Sequence, residues 1–473
     1  MNLWKHQQSA HNFIFDRLKH GKKGILLEHG MGSGKTRTSI AFGHKMNAKK
    51  ILIVTIKSVI PTWEIEYKKF FNDNLGDYEI LALEKKSVKE KAATLKKFIE
   101  KNRRYNKKSV VVINYESLWR PGLGPTSISK GVILENYWDI VIMDECQKIS
   151  SPKSTVSKFA AKLTNCSDIR IALSGTPCRS GLLDIFGTYR FLDKSIFGTN
   201  YTRFSARYGI FGGFENRMVV AYKNVEEYNQ KYFTIAHRVK SEDVLDLPAT
   251  IHIPIPVELN PKARKIYNQL DQEMRLEIQD QEVSPANALV KNLRLAQITS
   301  GILALDGGTQ QMIDSAKVDA LKELIESLPP KEPVVVFTRF KPEVTEIKKA
   351  LTKLTYTNKE GEKINKKCVE LTGDKNELAI WKQGNADVII VNLQSGGAGV
   401  DLTRSKYCFF FSKNYSNSDY EQSLARLCRP GADIKSTIRY YHIYAKNTID
   451  NIIMKAIQKK RKILDMIIEN YQV

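Results

Sequence analysis

The chain has 473 residues, a length that suggests two or three domains. An apolar share of 42% can build real cores, and no apolar run is long enough for a membrane span or a signal peptide, so a cytoplasmic protein without a membrane partner is expected. Lys and Arg outnumber Asp and Glu by 74 to 51, a net charge of +23 that would attract a polyanion, with nucleic acid the economical choice.

The first strand-like run in the chain carries the most information. Ile25, Leu26 and Leu27 form an apolar strand, Met31-Gly32-Ser33-Gly34-Lys35-Thr36 make a glycine-rich turn, and a helical stretch follows through Ser39 to Phe42. Glycines let backbone N–H groups point at a triphosphate, Lys35 can reach its β/γ-phosphates, and the Thr36 hydroxyl can hold Mg2+ at the helix N-terminus. His29 takes the place of the first glycine of the strict motif, so the match is to the looser Gly-x-Gly-Lys-Thr form. A surface glycine turn would account for the string alone, but not for the strand before it and the helix after it.

Strand-like runs then follow at Ile51–Thr55, Val110–Asn114, Ile140–Met143 and Ile171–Leu173, separated by lysine-rich helical segments. That alternation predicts a parallel sheet with helices on both faces. Runs such as Lys85-Lys86, Lys96-Lys97 and Lys107-Lys108 read singly as solvated helix faces. Asp144-Glu145 closes the third run; adjacent carboxylates at a strand end can divide the labour, Asp144 orienting Mg2+ and Glu145 polarising a water. Helix-capping acids are the plain alternative. Ser174-Gly-Thr176-Pro closes the fourth run, an ordinary turn in composition, whose hydroxyls could sense the state of the carboxylates.

Between 181 and about 300 the strand signal fades into aromatics and helix formers. Two helical insertions are expected, about 181–238 and 256–302, around a hinge near Leu247-Pro248. Strand-like runs resume at Val334–Thr338, Cys368–Leu371, Val388–Val391 and Tyr407–Phe411, and 355–367 read as a hairpin or loop. Two α/β lobes in tandem fit this better than one: 1–245 and 246–473. Gln394-Ser395-Gly-Gly-Ala-Gly399-Val-Asp401 allows a close backbone approach. The four- and three-residue spacing of Gln422, Arg426 and Arg429 puts them on one helical face, as an arginine finger or a surface salt-bridge helix. Six single cysteines give no Cys-x-x-Cys pair, so neither zinc nor a disulfide framework is indicated.

In this order the segments resemble the Swi/Snf-type ATPases of helicase superfamily two, over essentially the whole chain. Leu3-Trp-Lys-His-Gln7 is similar to the adenine-reading glutamine segment and Gly32 to Thr36 to the nucleotide loop. Ile51-Leu-Ile-Val with Ser58 and Trp63-Glu, Asn114-Tyr-Glu-Ser, Asp144-Glu145, Ser174 to Pro177, and Leu182 to Gly187 continue the series. Lys240 to Pro248, Lys317 to Leu321, Val336 to Arg339, Gly397 to Thr403, Gln422 to Arg429 and Asn447 to Asp450 complete it. Each is weak alone; together and in order they are specific. Three positions depart from the pattern: Gln147 stands in place of histidine, Ala425 and Cys428 replace an acid and a histidine, and Arg179-Ser180 replace Gln-Asn.

The resemblance implies an α/β fold of two tandem RecA-like lobes, with Mg·ATP in the cleft between them. Gln7 would read adenine, and Met31 to Thr36 would cradle the phosphates. Thr36 and Asp144 would hold Mg2+, Glu145 the water, and Arg426, Arg429 and Gln422 the transition state. Gln147, Ser174, Thr176, Gly399 and Asp401 would couple hydrolysis to movement. Lys57, Ser58, Trp63, Thr338, Arg339, Gln394 and Ser395 would line a track for double-stranded DNA, branched or forked forms included. A monomeric translocase of the compact bacterial or phage kind is the expectation, serving replication, recombination or repair. The rivals are a strand-separating or branch-migrating helicase and an ATP-switched recruitment module.

Overall fold

Strands buried on both faces of a parallel sheet need unbroken apolar runs, and the chain supplies two sets of them. The computed structural model describes residues 3–84, 87–127, 129–178, 181–212, 218–279, 285–304, 310–357, 361–393 and 400–458. It divides into two compact units, with the boundary between Leu245 and Asp246.

In the first unit, β1 (Gly24–His29), β2 (Lys50–Thr55), β3 (Tyr78–Ala82), β4 (Lys108–Asn114), β5 (Trp138–Asp144), β6 (Ser167–Ser174) and β7 (Ala236–Val239) form a sheet. Their order is β3-β4-β2-β5-β6-β1-β7, and every pairing is parallel. Side chains alternate between the two faces, as a period of two requires. Leu52, Val54, Val111, Val141 and Met143 enter one core, while Ile51, Ile53, Val110, Ile140 and Ile142 enter the other. The helix Val88–Arg104 covers the first core through Leu95 and Ile99, and Ile60–Phe70 covers the second through Trp63 and Tyr67.

The segment 181–238 corrects the expectation of a purely helical insertion. Helices Ile185–Leu192, Tyr201–Tyr208 and Val225–Phe233 are there, but so are an antiparallel hairpin, Gly209–Gly212 with Met218–Tyr222, and β7, which returns to the sheet beside β1. Its aromatics are core: Phe197 lies 4.9 Å from Tyr189 and 5.2 Å from Phe204 and Tyr228, ring centre to ring centre. β7 is four residues long and only its first is buried, so it leaves no alternation for a sequence reading to detect.

In the second unit, β8 (Ala249–Val257), β9 (Val334–Thr338), β10 (Cys368–Leu371), β11 (Val388–Asn392), β12 (Tyr407–Phe410) and β13 (Thr437–Ala445) pair in parallel in the order β8-β13-β12-β9-β11-β10. Val334, Val336, Val388 and Ile390 enter one core and Val335, Phe337, Ile389 and Val391 the other. β8 is an edge strand, exposed over its first four residues, and an edge is where Pro254 and Pro256 can stand without breaking a ladder. Helices Pro261–Gln279 and Pro285–Thr299 follow it, and Thr355–Thr357 pairs with Lys363–Asn365 as a hairpin. Among the described residues no helix is long and apolar enough to cross a membrane.

Candidate functional site

The loop after β1 is shaped by residues that lie on either side of it. Gly34 caps the helix Lys35–Lys45 with φ +76°, and a Cβ there would meet Gln7 Nε2 at 2.4 Å, so only glycine fits. Gln7, 1% exposed, donates from Nε2 to the Ser33 and Gly34 carbonyls at 3.4 Å and accepts from the Trp4 N–H at 3.0 Å. His6 Nε2 donates to the Ser33 carbonyl at 2.8 Å, and the Ser241 hydroxyl to that of Met31 at 2.8 Å. Lys35 Nζ bonds the carbonyls of His29 at 2.8 Å and Gly30 at 3.1 Å. Gly32 turns with φ +78°, and Thr36 is half-buried in the first turn of the helix. Backbone N–H groups at such a helix start make an anion site.

Beneath the loop, His29 Nε2 lies 2.8 Å from His237 Nδ1, and Ser9 Oγ 3.2 Å from the other nitrogen of His237. Burial pushes His29 down to about 2, helped by His237, Lys35 and His6; burial and then His6 push His237 down to about 4. This neutral pair, which ties β1 to β7, was not legible from the sequence.

The carboxylates stand two strands away, at the end of β5. Asp144 Oδ2 accepts from the Thr55 hydroxyl and from Trp63 Nε1, each at 2.9 Å. Burial, and after it the Glu145 charge, push the Asp144 carboxyl up to about 6, against those two hydrogen bonds and the Lys35 ammonium. That ammonium is therefore within electrostatic reach. Glu145 adopts φ +54°, a left-handed conformation that costs a non-glycine residue about 1–3 kcal/mol. The turn aims its carboxylate at Gln147, whose Nε2 donates to Glu145 Oε2 at 2.5 Å. Ser174 Oγ donates to Gln147 Oε1 at 2.8 Å and accepts from the Thr176 N–H at 3.0 Å. A hydrogen-bonded chain thus runs from Glu145 through Gln147 and Ser174 to Thr176, joining the ends of β5 and β6. Thr55 had no signal in the sequence beyond its place as the last residue of a strand.

Two residues expected on a DNA track are placed elsewhere. Trp63 is 0% exposed, its indole spent on Asp144, and Thr338 is 0% exposed with its hydroxyl 3.5 Å from the Val391 carbonyl. Neither can meet a phosphate backbone; both stand where a strand's apolar periodicity carries its last residue, or an apolar helix face, into the core. Lys57 and Ser58 are exposed in the short turn Lys57–Val59 after β2. Arg339 is half-buried beside the Phe340 ring, 4.9 Å from its centre, and burial lowers its pKa. Gln394, Ser395 and Gly399 lie outside the described residues.

The helical face expected for Gln422, Arg426 and Arg429 is also corrected. The helix Asn417–Leu424 holds Gln422 and stops before either arginine. Beyond Leu424 the Arg426 N–H turns to the Ser423 carbonyl at 3.2 Å, Leu427 is buried in the core, and Pro430 disfavours helical backbone at Arg429. The arginines converge all the same: Nη1 of each lies 3.4 Å from the Val400 carbonyl. Burial would raise Asp401, but the two Thr403 hydrogen bonds, Lys382 and Arg429 outweigh it and hold the carboxyl below its usual range. Deeper in this unit, Lys317 Nζ pairs with Asp450 Oδ2 at 2.6 Å, linking two of the segments quoted above.

The SNF2-related domain model matches residues 6–306, and the helicase conserved C-terminal domain matches 316–431. An uncharacterized ATP-dependent helicase of Mycoplasma genitalium is 27% identical over 98% of this chain, and this chain spans 42% of its length. A putative protein of Acyrthosiphon pisum secondary endosymbiont phage 1 is 25% identical over 93% of each chain. The SWI2/SNF2 ATPase core of Sulfolobus solfataricus, solved in complex with dsDNA, is 20% identical, covering 100% of this chain and 94% of that one; its TM-score of 0.42 carries no weight. On the match over residues 6–306, the chain belongs to the SNF2-related family of helicase-like ATPases.

Proposed function

We propose that the chain is a motor that couples hydrolysis of Mg·ATP to movement along double-stranded DNA, in replication, recombination or repair. The observation that carries this reading is the Asp144–Glu145 pair: one carboxylate buried on two donors, the next held in a strained turn on a relay to Ser174. Lys35 and the N–H groups of Met31 to Thr36 bind the triphosphate, and Gln7, which supports the loop through the Ser33 and Gly34 carbonyls, reads adenine. Glu145 orients and deprotonates the attacking water, and the Gln147–Ser174–Thr176 chain reports its state. The Thr36 hydroxyl and the Asp144 carboxylate fit Mg2+, since hard oxygen donors suit it and burial with the neighbouring Glu145 charge raises the carboxyl more than the Lys35 ammonium and its two hydrogen bonds lower it, so added positive charge is favoured there. Mg2+, when bound, supplies positive charge to the β- and γ-phosphates.

Arg426 and Arg429, with Gln422 nearby, neutralise charge on the γ-phosphate during turnover, and Asp401 with Gly399 takes part in coupling. Lys57, Ser58 and Arg339, joined by Gln394 and Ser395, meet DNA phosphates. The test is the ATPase rate against duplex, single-stranded and forked DNA and RNA. Duplex should stimulate most, and displacement of a third strand from a triplex should occur without strand separation. Strand displacement would favour a helicase, and turnover indifferent to nucleic acid would favour an ATP-switched recruitment module. Duplex affinity should fall with salt at a slope of about −0.9 per phosphate contact, and Arg339→Ala should weaken all sequences alike. A salt-insensitive isotherm would remove the electrostatic basis of the track.

A further inference from the structure

A pocket of about 310 Å3 in the second unit has no part in the chemistry above. It lies by the edge of the sheet where β8 and β13 pair, with His252 and His442 from those strands, Lys413 from the turn after β12, Tyr420, and the apolar side chains of Met454 and Ile457. Lys413 Nζ sits 5.5 Å from the centre of the Phe410 ring and 5.4 Å from that of Tyr420. Ring faces stabilise a cation, but they accept no ordinary hydrogen bond, and among the described residues this ammonium has no acceptor. Burial, opposed by Asp450 and helped by Lys317, pushes its pKa down to about 7. Asp450 cannot serve it as a partner in full, because its Oδ2 is held by Lys317 at 2.6 Å and its Oδ1 by the Thr299 hydroxyl at 3.0 Å.

The wall beside Lys413 repeats the shortage. His442, 5% exposed, stacks on His252 at 5.2 Å and 6°, with its Nε2 3.0 Å from His252 Nδ1, and its own Nδ1 has no partner. Burial, then Lys413 and His252, hold that ring neutral, with a pKa of about 2. One ammonium without an acceptor, an unpartnered imidazole nitrogen and an apolar floor form an unfinished set. A single negative charge on an apolar body would complete it. Inorganic phosphate suits it less, since one ammonium and two aliphatic walls replace little of a dianion's hydration.

We propose that this pocket binds a small amphiphilic carboxylate, a single-ring or short-chain acid whose carboxylate meets Lys413 while its body lies on Met454 and Ile457. The site is independent of the nucleotide loop. The test is calorimetric titration of the full chain with three probes: benzoate, its uncharged isostere benzamide, and inorganic phosphate. Benzoate should bind, with benzamide and phosphate weaker by about tenfold or more, as expected for the loss of a charge-assisted hydrogen bond. Lys413→Met should weaken benzoate to the level of benzamide, whereas Lys35→Ala should leave it unchanged. The benzoate–benzamide difference on the unmodified chain needs no variant and decides the matter if Lys413→Met fails to fold. Equal binding of the two, no heat from benzoate up to about 10 mM, or full benzoate affinity in folded Lys413→Met would each overturn the proposal.

Discussion

In the first unit the C-terminal ends of β2, β5 and β6 place Thr55, Asp144 and Ser174, and these bond to other side chains: Thr55 and Trp63 to Asp144, Ser174 to Gln147. In the second unit the ends of β9, β11 and β12 place Thr338, Asn392 and Phe410, and the polar ones bond to backbone: Thr338 to the Val391 carbonyl and Asn392 to that of Arg339. Both sheets are parallel and carry core on both faces; among the described residues the first places the Asp144–Glu145 pair at a strand end, while Arg426 and Arg429 of the second come from the turn after the helix Asn417–Leu424. The architecture supplies a rim of strand ends, and the residues there decide which chemistry each rim can do.

That contrast can be broken most forcefully in the first unit. Lys35→Ala removes the cation of the phosphate loop and should abolish ATP turnover; Glu145→Gln should keep nucleotide binding and cost about 10²–10⁴ in rate. Turnover near the unmodified rate in Glu145→Gln, measured by phosphate release, would sink the assignment of the water-activating group.

A smaller effect concerns acid stability. His29 and His237 have folded-state pKa values near 2 and 4, below the ordinary 6.5. The unfolded chain therefore binds more protons between about pH 6.5 and 4, so stability is present above that window and falls as pH drops through it. His237→Gln should flatten the acid side of the thermal-unfolding profile, and an unchanged slope would show that the pair is not the acid-sensitive element of this unit.

Smaller again, Trp63→Phe removes one donor to the Asp144 carboxylate. Its pKa should then rise further, moving the acid limb of the kcat/KM profile to higher pH with little change at alkaline pH. A limb that stays in place would mean that Asp144 does not set it.

The strand-turn-helix at Gly24 to Lys45, the strand that ends at Asp144 and the two α/β units were legible because each depends on local pattern: glycine spacing, or an apolar run ending in a polar residue. What depends on long-range packing was not. The resemblance put Trp63 on a DNA track, and only the approach of the Ile60–Phe70 helix to β5 shows its indole to be a donor to Asp144. β7 is too short for periodicity, and β8 is disguised by Pro254 and Pro256. The arginine spacing predicts a helix through Arg429, but the helix ends at Leu424, although the two guanidinium groups still meet at Val400. The His29–His237 pair joins residues that only the fold brings together.

In the proposed cycle, Arg426 and Arg429 of the second unit complete a reaction whose nucleotide is held by the first. Duplex-stimulated ATP turnover of Arg426→Ala and Arg429→Ala, alongside affinity for a fluorescent ATP analogue, tests it most directly. Turnover should fall by about 10³-fold with affinity largely intact, as expected of arginines that act on charge present in the transition state. If both variants hydrolyse ATP on duplex DNA at close to the unmodified rate, they are only surface or structural groups and the two units do not share one catalytic cycle.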